Sequence, residues 1–183
     1  YSTKPADSGW ICVGDAAGFI DPLYSQGLDY CAHSVSFAAK IIAKSHNGQC
    51  VEADVADYAE QFVTSYFRWH RALYQNKYHY LGDAELMNAA FWLDIGTYFI
   101  GPVRLVHDDP TNEFPRFPYY GFPGKIFSNF MRFYNKRLAN IGARRYAAGK
   151  YGKSNLDHRY LIYEGFAPCK KAAFKVIVKG IFK

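Results

Sequence analysis

A mainly helical chain with one short strand is what the sequence predicts. Apolar residues recur at helical spacing over residues 25–45, 54–77, 84–99 and 125–150. One run, GWICV at residues 9–13, is apolar, rich in β-branched character and stops at a glycine, the signature of a buried strand. Proline crowds residues 102–123, where regular structure is not expected.

In the first helix, Ser25 is the expected N-cap and Asn47-Gly48 the stop signal. The spacing puts Leu28, Cys31, Ala32, Val35, Ala38, Ala39 and Ile42 on one side. The second carries Val55, Tyr58, Ala59, Phe62, Tyr66 and Trp69 on one face, and the fourth carries Ile126, Phe127, Phe130, Phe133, Tyr134 and Leu138. A lone strand cannot make a sheet, so its partners must lie outside this sequence or among residues that read as helix.

With 183 residues, 50% hydrophobic and 21% charged, the chain can bury a sizeable core. Aromatic residues make up 19%, which points to a ring-packed interior or ring-lined cavities. Charge is divided unevenly. Residues 1–100 hold six Lys/Arg against eleven Asp/Glu, and residues 101–183 hold sixteen against five.

The basic residues lie dispersed among Phe and Tyr with no nucleic-acid-binding module, so no nucleic-acid partner is expected. Cys12, Cys31, Cys50 and Cys169 form no C-x-x-C pair, so a reduced, cytoplasmic setting is the expectation. No apolar run is long enough to span a bilayer. The first residue is Tyr1, and the expectation is a piece of a longer chain.

Neither His107-Asp108-Asp109 nor His70 with His79 matches a metal-ligand spacing, and no metal site is expected. His33 is read as packed against the loop. FPRFPYYGFP, residues 114–123, reads either as a pocket lid or as a loop stapled to the core. In the C-terminal KKAAFKVIVKGIFK, Lys171, Lys175, Lys179 and Lys183 share one helical side. That pattern fits membrane-surface contact through residues 170–183, a solvated face or a strand.

The informative stretch is GDAAGFIDPLYSQGLD, residues 14–29. Gly14 and Gly27 let backbone approach a ligand closely, Asp15 can accept hydrogen bonds from sugar-like hydroxyls, and a helix beginning near Gly27 directs free N–H groups and a positive dipole end outward. A plain strand-turn-helix has the same outline.

Gly14, Asp15, Ala16, Ala17, Pro22, Gly27, Leu28 and Asp29 resemble, without a gap, the second flavin-binding motif of FAD-dependent aromatic hydroxylases. Within that superfamily, G-F-I-D-P-L followed by x-S-x-G is more similar to the tryptophan-halogenase-like family. The resemblance implies a fold that is mainly α with a short strand from an FAD/NAD(P)-binding α/β fold. Residues 1–30 would end the FAD-binding domain, and residues 31–183 would form a helical, substrate-side region.

It further implies that Gly14, Asp15, Ala16, Pro22, Gly27 and Leu28 bind FAD. Asp15 would hold the ribityl chain, and the Gly27 and Leu28 amides would face the pyrimidine edge. The halide segment falls on Ser25-Gln26-Gly27, giving Gln26 and Gly27 as halide-binding residues; Gln26 stands where the family commonly has a small hydroxyl residue.

The implied reaction uses a flavin hydroperoxide and chloride or bromide to halogenate an aromatic or carrier-tethered substrate, with a separate flavin reductase. Tyr24 occupies the place of a glutamate in the tryptophan halogenases proper, and no catalytic residue is assigned. The alternatives are an FAD monooxygenase or reductase of the same superfamily, or a non-catalytic membrane-surface or partner-binding module. No two of the 15 glycines lie two residues apart, so the G-x-G-x-x-G pyrophosphate cradle is absent from the sequence. The chain alone is therefore expected to bind FAD poorly and to turn nothing over.

Overall fold

The computed structural model describes residues 1–24, 26–108, 116–156 and 178. Ser25, residues 109–115 and, apart from Val178, residues 157–183 with the 170–183 tail thus fall outside the described residues. The chain is mainly helical, with two short strands: β1 (Ala6–Asp7), β2 (Trp10–Ile11), α1 (Gly27–His46), α2 (Glu52–Trp69), α3 (Ala84–Tyr98), α4 (Arg104–Asp108) and α5 (Phe122–Ala147).

The expected strand finds a partner just upstream. β1 and β2 pair antiparallel, Ala6 opposite Ile11 and Asp7 opposite Trp10, around a turn in which Gly9 takes φ +84. The Asp7 carboxylate caps that turn by accepting from the Ser8 amide at 2.9 Å. Only a two-residue ladder forms, against the five residues of GWICV expected to be extended.

Two compact units divide the chain. The first comprises Tyr1–His70 and Ile100–Lys125. Its core is aromatic: Tyr58, Phe62, Tyr66 and Trp69 recur along α2 at helical spacing and are all buried. Tyr30 from α1 meets the Phe62 ring edge-on at 6.2 Å, and Phe117 meets Phe62 at 5.5 Å. Each such ring contributes about 1.5–3 kcal/mol on leaving water.

The expected apolar side of α1 is not its buried side. Tyr30, His33, Ser34, Ala38 and Ile41 face inward, whereas Leu28, Val35 and Ile42 are exposed. Polar anchoring turns the helix: the Tyr30 hydroxyl meets Ser65 Oγ at 2.8 Å and Ser34 Oγ accepts from the Gly14 amide at 2.8 Å.

Residues 102–108 depart from the expected loop. A wide turn over Phe99–Val103 contains Pro102 and leads straight into α4. Such i→i+5 turns loosen the ladder, which lets a helical path tolerate a residue without an amide proton.

The second unit comprises Arg71–Phe99 and the described residues from Ile126 onward. Tyr80, Leu86, Ala89, Ala90, Tyr134, Leu138 and Ala139 form its core. The start of α3 is closed by side chains: Asp83 accepts from the Leu86 amide at 3.2 Å, Asn155 Oδ1 from the Ala84 amide at 2.9 Å and Ser154 Oγ from the Glu85 amide at 3.3 Å. Charges are buried here as well. Lys77 Nζ lies 2.5 Å from Asp94 Oδ2, with both side chains essentially sealed from solvent.

The apolar set expected for α5 is likewise split. Tyr134 and Leu138 are buried, but Ile126, Phe130 and Phe133 are exposed, their places inside taken by Ser128, Met131, Asn135 and Gly142. Among the described residues no helix is long and apolar enough to cross a membrane.

Candidate functional site

The stretch from Gly14 to Leu28 runs as a 3-10 turn over Gly14–Ala16, an irregular link, a second 3-10 turn over Pro22–Tyr24, and the first turn of α1. Its inner side is locked. Gly14 takes φ +54, and a Cβ there would meet Cys31 Sγ at 3.0 Å, so both conformation and space call for glycine. Its amide is held by Ser34, and its carbonyl accepts from the Ala17 and Gly18 amides at 3.0 and 3.1 Å.

Gly18 is pressed onto α2: a Cβ would stand 2.8 Å from the Tyr66 ring. The Tyr66 hydroxyl donates to the Phe19 carbonyl at 2.6 Å, and the Tyr58 hydroxyl to the Cys12 carbonyl at 2.7 Å. Burial pushes both phenols above their ordinary value, so they stay neutral donors. Asp21 folds the next bend, accepting from the Leu23 amide at 2.9 Å.

The outer side is open. Asp15, Ala16 and Pro22 are exposed, as are Phe19 at 61% and Leu28 at 73%, with Gly27 half-buried between them. The turn therefore presents a carboxylate, a small residue and the beginning of a 20-residue helix on one accessible surface, backed by a rigid aromatic wall. A flavin's ribityl hydroxyls and pyrimidine edge suit those groups, so the residues present fit that part of the cofactor. No G-x-G-x-x-G occurs to take its pyrophosphate.

The family resemblance places Gln26 in the halide segment. Its side chain is buried at 3% exposure, and its Oε1 accepts from Trp69 Nε1 at 2.8 Å. Any anion contact at that position falls to backbone. α1 begins at Gly27 with Gln26 as N-cap, and the Gln26 side chain makes no cap hydrogen bond to the helix start.

His33 packs inside, its ring 6.1 Å from that of Phe117, and burial lowers its pKa to about 4. The residue is neutral at ordinary pH. The described part of the aromatic-proline loop is stapled down: Tyr119 stacks on Trp69 at 4.3 Å, the Tyr119 and Tyr120 carbonyls accept from the Arg68 guanidinium, and the Tyr120 hydroxyl reaches Glu60 at 2.9 Å. Tyr119 and Phe117 are buried, so of the two readings of that segment the staple describes residues 116–121. His70, His79 and His107 are exposed, and among the described residues no group of three His, Cys, Asp or Glu is placed to hold a metal.

Sequence reasoning missed an apolar groove of about 650 Å³ beside β2 and the outer face of α1. It is lined by Trp10, Val13, Val35, Ile42 and Val55, with His46 among its polar residues. No residue of the Gly14–Leu28 turn contributes to it. The exposed Val35 and Ile42, seven residues apart on α1, were the available signal.

A flavin-dependent halogenase, armH1 from Armillaria mellea, is 34% identical over 70 residues, 38% of this chain. The likeness is to flavin-dependent halogenases. It supports a flavin-halogenase-like relationship for part of the chain, and the matched stretch spans only 13% of the relative's length. No protein-family model and no solved structure matches.

Proposed function

We propose that the chain supplies the flavin-facing turn of an FAD-dependent oxidoreductase of the halogenase type. The observation that carries this reading is the two-sided turn: Ser34, Tyr66 and Trp69 hold its inner side while Asp15, Ala16 and Leu28 stay open. Asp15 would accept hydrogen bonds from the ribityl hydroxyls. The Gly27 and Leu28 amides would face the pyrimidine edge, where the positive end of α1 favours negative charge. The Pro22 turn would lie beside the ring system, and the Gln26 and Gly27 backbone would meet chloride or bromide.

Bound reduced flavin would supply oxygen activation, the chemistry that side chains cannot perform. A separate flavin reductase would provide the reduced cofactor, and the acceptor would be an aromatic or carrier-tethered small molecule in a reduced, cytoplasmic setting. The burial of the Gln26 amide against Trp69 favours a second reading, an FAD monooxygenase or reductase of the same superfamily. Product formation that ceases without chloride or bromide supports halogenation, and halide-independent oxygenation supports the second reading.

The flavin site itself is tested by titrating FAD and following its fluorescence. Without a pyrophosphate cradle, binding is expected to be weak, and Asp15→Ala is expected to weaken it by about a further tenfold, the value of a charge-assisted hydrogen bond. An affinity indifferent to Asp15 sinks the assignment, and tight stoichiometric binding overturns the expectation of weak binding.

A further inference from the structure

The second unit carries a feature that the flavin reading does not use. From Ile126 to Ala147, α5 contains Arg132, Lys136, Arg137, Arg144 and Arg145 and no acidic residue; the nearest acids in sequence are Glu113 and Asp157. Arg145 is spent within the fold, bonded to Asp83 at 2.7 Å and to Glu85. Arg132, Lys136 and Arg144 are exposed and meet no acidic partner among the described residues.

Between these cations, Ile126, Phe130 and Phe133 are 56%, 40% and 49% exposed. At 3.6 residues per turn the three fall within an arc of roughly 60°, with Arg132 and Lys136 along one flank and Arg144 on the same line further on. Residues 126–144 extend about 27 Å. The opposite side, Met131, Tyr134, Asn135 and Leu138, is buried, so the helix is fixed with this face outward.

We propose that the outward face of α5 binds an anionic membrane surface, with Ile126, Phe130 and Phe133 entering the headgroup boundary and Arg132, Lys136 and Arg144 meeting lipid phosphates and carboxylates. An apolar row bordered by cations that meet no acid among the described residues, on a helix too polar to span a bilayer, is the pattern that lies in the interface plane. Nucleic-acid phosphates would satisfy the cations but would leave the Ile126–Phe133 row in water. The proposal is independent of the flavin reading.

The test is co-sedimentation of the protein with phosphatidylcholine vesicles, with and without phosphatidylserine. Wild type is expected to pellet with the anionic vesicles and to be released by high salt. Arg132→Gln/Lys136→Gln should weaken partitioning about twenty-five-fold, at roughly a fivefold loss per cation. Phe130→Ser/Phe133→Ser should weaken it too, while Lys171→Gln/Lys175→Gln/Lys179→Gln should not.

A readout on unmodified protein guards against misfolded variants: anionic vesicles should protect Lys136 from acetylation. No association with anionic vesicles, association lost with the tail lysines and kept without Arg132 and Lys136, or tight binding of an RNA oligonucleotide by a protein that ignores vesicles would overturn the proposal.

Discussion

The two compact units solve the problem of buried polarity in opposite ways. In the first, the buried polar side chains are neutral: Tyr58, Tyr66 and Ser65 donate to the Cys12, Phe19 and Pro118 carbonyls, Gln61 accepts from the Phe117 amide, and the Trp69 indole N–H donates to Gln26. In the second, charged side chains are buried beside neutral ones. Lys77 meets Asp94, Asp83 meets Arg145, and Asn135 bonds the Ala72 carbonyl at 2.7 Å while accepting from Tyr80. Neutral donors aimed at carbonyls fix loops without holding an ion out of water. Buried ion pairs tie one helix to another and penalise any arrangement that separates them. The first unit is therefore built to position a turn, and the second to hold helices in register.

The sharpest way to break that contrast is to orphan a charge. Burial lowers the Lys77 pKa despite the opposing pull of Asp94, so the ammonium depends on its partner. Asp94→Ala is expected to destabilise the protein by about 3–5 kcal/mol in urea unfolding. Lys77→Met/Asp94→Leu should recover most of that loss, because a well-packed apolar pair needs no compensation. A double variant as unstable as the single one would mean that packing, not charge, holds this site.

Titration provides the next largest effect, in the neutral unit. His33 takes its proton near pH 4 in the folded protein and near 6.5 when unfolded. Stability is therefore fully present above pH 6.5 and is lost as pH falls toward 4, by about 3 kcal/mol, because the unfolded state binds the proton first. His33→Gln removes the titrating group. Its stability difference from wild type, followed by denaturation across that window, should shift in the variant's favour by that amount. A constant difference would show that His33 reaches solvent.

Much of this was legible from spacing. The α2 face from Tyr58 to Trp69 and the onset of α1 at Gly27 follow from periodicity and turn residues, because burial of one continuous side of a helix leaves a clean period. The outward turning of α1 and α5 was not legible: Leu28, Val35, Ile42, Ile126 and Phe133 look like core by pattern. Which arc is buried was decided by Ser34 reaching Gly14 and Asn135 reaching Ala72, bonds across 20 and 63 residues that no local window contains. At the candidate site, the residue types pointed to a turn with an exposed carboxylate, but the wall behind it, Tyr66 and Trp69, lies more than 40 residues away in sequence.

The smallest expected effect bears on that wall. Gly18→Ala places a methyl 2.8 Å from the Tyr66 ring and 3.3 Å from Phe62, both buried and unable to swing away. The cost should be about 1–3 kcal/mol, as for other overpacked sites. Shortening the ring in a Tyr66→Leu background should relieve part of it, so the two substitutions should couple rather than add. Because Tyr66 also holds the Phe19 carbonyl, the same displacement should loosen the turn and weaken any flavin affinity along with stability. If Gly18→Ala lowered stability alone, the turn would be held by its own 3-10 geometry, and the division between a unit that positions and a unit that fastens would lose its support.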